Sequence, residues 1–515
     1  MRRCWGGRLG LPVTQGVPIT SAPRPLFRAL TVLRLAETPR ESIGRRGVMS
    51  VLGLVSQSGA RFLVNLVAGR LGGPLVLGHV AVAMSAVQLL ALVGPTSLGS
   101  AASKYMALSL GEDDLGGTRA VARHIWRTTL ACALVLGLSG GLIWRIWFDG
   151  DWAESLAVAV MTASLSTYTV ARGAFFGHRH IGPSGVWDAL VGVIGVVGSA
   201  ALLVVGVHSV LALLPMALGW IIYTWAGWPR GAEGLASAAV RSEINHFVVV
   251  TALGTLTSAG FIQASLVVAR VVGGTEGSGF YSAALTISAP LSILVGAANS
   301  VLFPSMAEAL GRSDEGSFRR QLHQSTEVVV VVMSGAIGLL MVLSSPVLAL
   351  VWGDRFRPAE PLLPVMLGAI LAYVTAVPSV SALVTRGAAQ ARITTAFGVV
   401  GAVVGSLVWL GTARSLGVLG VAWGYLASTV VSSGLTVAIA WRREDQRWWG
   451  LLARLVVVAA AAAGGWLLPR TGSTLVWHSS LGFLMIWAVV FGSRLRDAAT
   501  LLAARGRTPS PGATP

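Results

Sequence analysis

In 515 residues the chain has one lysine, Lys104, and two cysteines, Cys4 and Cys132, and only 11% of its residues are charged. Each scarcity excludes something. A pump driven by its own nucleotide hydrolysis needs a G-x-x-x-x-G-K-[ST] loop to cradle phosphate, whereas Lys104 sits in Ala101-Ala102-Ser103-Lys104-Tyr105-Met106. Cys4 lies in the N-terminal stretch and Cys132 inside an apolar run, so they frame neither a disulfide scaffold nor a thiolate metal site. The eight histidines (79, 124, 178, 180, 208, 246, 323 and 478) show no metal-ligand spacing. No metal and no cofactor are expected.

What the chain has instead is apolar surface. Hydrophobic residues make up 54% of it and its mean hydropathy is +0.73, more than a soluble core can hide. A helix crossing a bilayer needs about 20 mostly apolar residues. Fourteen such runs are found, near 48–69, 76–100, 124–146, 153–175, 184–206, 208–228, 245–269, 279–303, 326–351, 360–385, 393–412, 416–441, 449–468 and 474–493. They are too long and too uniformly apolar for barrel strands, so the fold class is an all-α polytopic membrane protein. The longest inner connections, about 105–123, 229–243 and 305–324, leave no room for a soluble catalytic domain, and the chain is not expected to be an enzyme.

The formal net charge of +17 invites a nucleic-acid reading, which the placement of the charges removes. With the N-terminus in the cytoplasm, the inward segments hold 30 of the 38 Lys and Arg residues. The outward loops hold seven, Arg70, Arg145, Arg270, Arg355, Arg357, Arg414 and Arg470, and Arg61 lies inside the first run. That is the positive-inside pattern, with both termini cytoplasmic in a bacterial inner membrane. Basic inner loops also attract anionic lipid headgroups. Tryptophans gather at run ends (Trp144, Trp147, Trp152; Trp225, Trp228; Trp441, Trp448, Trp449), as interfacial anchors do.

Residues 1–47 carry nine arginines, several prolines and no apolar core of a signal peptide. They are expected to be a disordered basic cytoplasmic tail, with an organellar transit peptide, or Met49 as the true start, equally open. The segment 494–515 is expected to be a second disordered tail. Between them the sequence repeats itself. Shifted by 200, Tyr105 to Asp114 lies over Ser305 to Asp314, matching at Met106/Met306, Ala107/Ala307, Leu110/Leu310, Gly111/Gly311 and Asp114/Asp314, and Arg70-Leu71-Gly72-Gly73 lies over Arg270-Val271-Val272-Gly273. Near the same shift Trp147-Phe148-Asp149 lies over Trp352-Gly353-Asp354. Two parallel six-helix copies are therefore expected, 48–243 and 244–441, related about the membrane normal because six helices separate them. Residues 442–493 are two additional helices.

Three stretches resemble the polysaccharide-export and lipid-linked oligosaccharide flippases, within the superfamily that also holds multidrug exporters and the lipid II flippase. They are Gln57, Asn65 and Arg70-Leu71-Gly72 with Gly78; Phe303-Pro304-Ser305-Met306; and Trp352-Gly353-Asp354-Arg355-Phe356 with Glu360-Pro361-Leu362-Leu363. They look like that family's R-x-L-G, F-P-x-[ML] and L-F-G-x-x-[FY] patterns, and the resemblance spans about 48–445. It implies a secondary transporter that flips a polyprenyl-pyrophosphate-linked oligosaccharide to the outer leaflet by alternating access, in a pathway shared with glycosyltransferases and a glycan polymerase. The alternatives are a cation-coupled multidrug exporter and, further off, a lipid II flippase or an integral-membrane sugar transferase.

Ionisable groups at membrane depth point to where the solute passes, because each costs several kcal/mol in the apolar core. Arg61 lies thirteen residues after Val48, about 20 Å into the span. Gln57, Arg61 and Asn65 recur every fourth residue and form one polar stripe. The functional reading is a cationic wall of a central cavity that meets a pyrophosphate; the plainer one is a structural arginine that snorkels or bonds to nearby carbonyls. Gln263 and Asn299 would line the opposite wall, or simply bond between helices. Asp188 and Glu327 are candidates to take up a coupling ion, with interfacial placement as the plainer account. Pro95, Pro290 and Pro378 are candidate hinges. Glu112-Asp113-Asp114 reads as a solvated face rather than a divalent-ion site, and His178-Arg179-His180 as an interfacial loop.

Overall fold

A computed structural model describes Leu33 and residues 43–468 and 473–505, and these form fifteen α-helices with no β-sheet among the described residues. In chain order they are α1 (Ile43–Val93), α2 (Pro95–Gly111), α3 (Leu115–Trp147), α4 (Trp152–Gly177), α5 (Ile181–Val204), α6 (Leu214–Ala226), α7 (Ala238–Thr255), α8 (Phe261–Gly311), α9 (Glu315–Val342), α10 (Ser344–Trp352), α11 (Leu362–Thr385), α12 (Ala388–Leu416), α13 (Val418–Arg443), α14 (Trp449–Leu467) and α15 (Ser473–Arg505).

Ten helices among the described residues are long and apolar enough to cross a membrane. Fourteen crossings were expected, and the difference has identifiable causes. The stretches Ser56–Val93 and Ala238–Leu291 each contain two of the expected runs. The run 153–175 forms α4, whose hydropathy is lowered by Ser164, Ser166, Thr167 and Thr169, and the run 208–228 forms the short apolar segment Val210–Ala226. Such hydroxyls are tolerated because they turn back onto their own helix: Thr162 donates to Val158 O at 2.8 Å and Ser166 to Thr162 O at 2.6 Å.

The helices begin and bend where the sequence provides for it. Asp114, Asp151 and Asp314 cap α3, α4 and α9 by accepting hydrogen bonds from Gly117 N, Glu154 N and Ser317 N. α1 bends sharply at Gly73 (φ 72, ψ −166) and α8 at Gly274 (φ 67, ψ −168). That backbone region is open essentially to glycine alone. The two bends are 201 residues apart. A spacing of 200 governs the next turn: Asp113 (φ 55) and Ser313 (φ 57) are both left-handed, and Asp114 N and Asp314 N donate to Ser109 O and Ala309 O, each at 3.0 Å. The repeat seen in side chains thus recurs in the backbone.

Helices α1 to α6 pack among themselves, as do α8 to α13, α7 lies mainly against α2, and α14 and α15 lie against α9 through Val331, Val458, Phe483 and Phe491. The main contact between the two sets is α1 on α8. Several expectations are adjusted. α1 starts at Ile43 rather than 48, and α15 continues to Arg505 past the expected tail boundary of 494. Leu33, within the expected disordered tail, is buried and donates to Ala226 O at 2.9 Å. Trp147, Trp152 and Trp449 are exposed as interfacial anchors should be, but Trp144 and Trp448 are buried and donate to Glu154 and His323, since an indole N–H in the interior finds a polar partner. His178 and His180 lie in the short turn between α4 and α5 and are buried there, with Nδ1 atoms 3.1 Å apart.

Candidate substrate pathway

The seam between the two helix sets is tightest just after the two bends. A Cβ on Gly78 would overlap the carbonyl oxygen of Thr275, and a Cβ on Gly279 would overlap that of Pro74. The pairs are reciprocal: Pro74 and Thr275, like Gly78 and Gly279, are 201 residues apart. Absent side chains let the backbones touch. One turn before the first bend, Arg70 donates to Leu350 O and, at 2.5 Å, to Val351 O, the last carbonyls of α10. A guanidinium there satisfies free carbonyls and complements the helix dipole. The Trp352 ring fills the space beside Gly69, which has no room for a Cβ.

Further along the seam, polar side chains bridge it. Asn65 Nδ2 donates to Thr286 Oγ1 at 3.0 Å, and Gln263 Nε2 donates to Gln88 Oε1 at 2.8 Å. The first bond runs from α1 to α8 and the second from α8 back to α1, about one turn away from the position that the 201-residue repeat pairs with the first. Asn65 and Gln263 thus each bond across the seam from opposite sides. The side chain of Asn299 lies outside the described residues.

Gln57 and Arg61 face elsewhere. A stripe with spacing four turns by about 40° at each step of a 3.6-residue helix, so Arg61 points into the first helix set while Asn65 points out of it. Gln57 and Arg61 line a crevice with Tyr168, Asp188, Met216 and Trp220, whose free space of about 20 Å³ holds roughly one water. Asp188 is buried and engaged: Tyr168 Oη donates to it at 2.7 Å and Arg172 Nε at 3.1 Å. Arg61 itself makes no hydrogen bond or ion pair among the described residues. Of the two arginines here only Arg172 holds the carboxylate, a pairing that sequence spacing could not disclose because Arg172 and Asp188 are on different helices. Their only signal was polarity in apolar runs.

The remaining candidates are placed as follows. Glu327 lies on α9, 4.0 Å from His323 Nε2. Pro95 opens α2 after the break at Gly94, whereas the helix is continuous through Pro290 in α8 and Pro378 in α11. The marked bends are at Gly73 and Gly274. Asp114 of the acidic run serves as a cap. At the far end of the second set, Arg386 holds Glu444, which is fully buried, at 2.5 Å and Glu315 at 2.7 Å, and these two carboxylates keep its pKa raised.

The chain can be compared with known proteins. Residues 184–361 match the family model described as polysaccharide biosynthesis protein. The succinoglycan biosynthesis transport protein ExoT of Rhizobium meliloti (strain 1021) is 23% identical over 422 residues, 75% of this chain and 80% of that protein. Among solved structures, an inward-facing multidrug resistance MATE family transporter of the MOP superfamily superposes with a TM-score of 0.59 at 15% identity, covering 77% of this chain and 98% of that one. A MOP superfamily transporter from Pyrococcus furiosus does so with a TM-score of 0.55 at 15% identity, covering 80% and 97%. The chain is thus a multi-pass membrane protein with the fold of solved MOP superfamily transporters, and it is similar in sequence to polysaccharide biosynthesis and transport proteins.

Proposed function

We propose that the protein moves a polyprenyl-pyrophosphate-linked oligosaccharide from the cytoplasmic to the outer leaflet by alternating access, for surface polysaccharide assembly. In this reading 48–243 and 244–441 are the two rocking lobes, 442–493 an appended pair, and both termini are cytoplasmic in a bacterial inner membrane. The succinoglycan transport relative and the polysaccharide biosynthesis family support the cargo class. The observation that carries the reading is the unpaired guanidinium of Arg61 at membrane depth, beside a carboxylate already held by Arg172. A buried cation without a counter-ion is costly unless an anion arrives to meet it, and a pyrophosphate oxygen suits its fork of donors. The crevice is too small for the cargo. Arg61 lies one turn from Asn65, so separation of the lobes and a change of rotamer bring the guanidinium to the seam, with Gln57, Asn65 and Gln263 as neighbouring donors.

The test is a deletion strain complemented with wild type, Arg61→Lys or Arg61→Gln. Deletion and Arg61→Gln are expected to accumulate lipid-linked precursor on the cytoplasmic side and lose most surface polysaccharide, with Arg61→Lys intermediate. Normal surface polysaccharide in the deletion strain overturns the proposal. The second reading, a cation-coupled multidrug exporter, is favoured by the multidrug neighbour and by the buried Asp188. It predicts drug sensitivity on deletion and loss of efflux in Asp188→Asn with polysaccharide unchanged.

A further inference from the structure

A cavity of about 610 Å³ lies outside the seam, between α3 and α7, lined by His124, Arg241, Ser242, Asn245, His246 and Val249. Its two walls come from different helices and are joined by a hydrogen bond, His124 to Asn245 at 3.2 Å. The charges around it are one-sided. Glu243, the carboxylate on this turn of α7, is turned to α2, where it accepts from Tyr105 Oη at 3.1 Å. Lys104 is also on that side, 4.6 Å from the Phe247 ring, and Arg123 is taken up by Gly234 O at 3.2 Å. The cavity lining therefore has Arg241, His246 and His124 and no carboxylate, and neither the Arg241 nor the His246 side chain has a hydrogen bond or ion pair among the described residues.

Apolar stripes lead away from this basic mouth. On α7, His246 is followed at helical spacing by exposed Val249, Val250 and Leu253; on α3, exposed Arg127 is followed by exposed Leu130, Leu134 and Leu138. A polar mouth with cations, continued by exposed apolar helix faces, has the amphipathic order of a lipid with an anionic phosphate head. By the charge pattern of the loops the mouth lies at the cytoplasmic leaflet.

We infer that this cavity is the loading site at which the pyrophosphate head of a polyprenyl lipid waits in the inner leaflet before entering the seam. The inference rests on the flippase reading above and adds a site separate from Arg61. The full-length protein in phosphatidylcholine nanodiscs is exposed to a diazirine-bearing undecaprenyl pyrophosphate, and labelled peptides are mapped. Wild type and Arg61→Gln are expected to label on α3 and α7. Arg241→Gln/His246→Gln is expected to lose at least tenfold of that label, and Arg241→Lys/His246→Arg to recover it, which separates charge from misfolding. Unchanged labelling in the glutamine variant overturns the site while leaving the flippase reading standing. Displacement of the probe by a tenfold excess of phosphatidylglycerol also overturns it, showing a general anionic-lipid patch. If the deletion strain keeps normal surface polysaccharide, the flippase reading falls instead.

Discussion

Single residues set the limits of tolerance in this molecule. Gly73 and Gly274 hold a backbone conformation that an L side chain adopts at a cost of about 1–3 kcal/mol. Alanine at either is expected to lower the thermal midpoint in detergent by a comparable amount for both, since the two bends have the same dihedrals; an effect at one and none at the other would separate the halves. At Asp188, substitution by asparagine removes the carboxylate shared by Arg172 and Tyr168 and leaves the half-buried Arg172 without its counter-charge. A loss of about 3–5 kcal/mol is expected, with Arg172→Leu/Asp188→Leu recovering part of it. Arg386→Ala similarly strands the buried Glu444 and is expected to cost about 3–5 kcal/mol. Glu315→Gln, which touches the exposed partner of the same arginine, is expected to cost about 0–1 kcal/mol. Equal effects of the last two substitutions would contradict the burial argument.

Among the elements, the bent pair α1 and α8 does most to shape the seam. Valine at Gly78 and Gly279 together pushes apart backbones that now touch. Cysteine labelling in inside-out and right-side-out vesicles is expected to show residues along the seam, such as Gln88, becoming reachable from the Gly73 end. If their accessibility is unchanged, the glycine contact does not close that end. Arg70 ties α1 to the C-terminus of α10, so Arg70→Gln should loosen the same end by a smaller amount, because one donor to the carbonyls survives. Hydropathy separates fourteen runs where the structure shows ten helices long and apolar enough to cross, for physical reasons. A glycine bend leaves two spans as one helix, and hydroxyl-rich α4 buries its polarity in bonds to its own carbonyls, which a hydropathy window counts as solvated.

For the whole molecule, the all-helical class was determined by the apolar runs, which are too long and too uniform for barrel strands and so must pair their backbone in lipid within helices. The two-copy organisation was written in Met106/Met306, Gly111/Gly311 and Asp114/Asp314, because caps and turns need particular residues at particular places, and the structure repeats those turns at the same shift. Gln57, Arg61, Asn65 and Gln263 were legible as polar residues in apolar surroundings. Their partners were not. That Asn65 reaches Thr286, that Gln263 reaches Gln88, and that Arg61 is left unpaired because Asp188 is held by Arg172 depend on helices more than a hundred residues apart in several cases coming side by side. Local sequence sets each helix, its ends and its polar positions through short-range sterics and capping. Which side chains meet, and which charge is left over, follows only from how the helices pack.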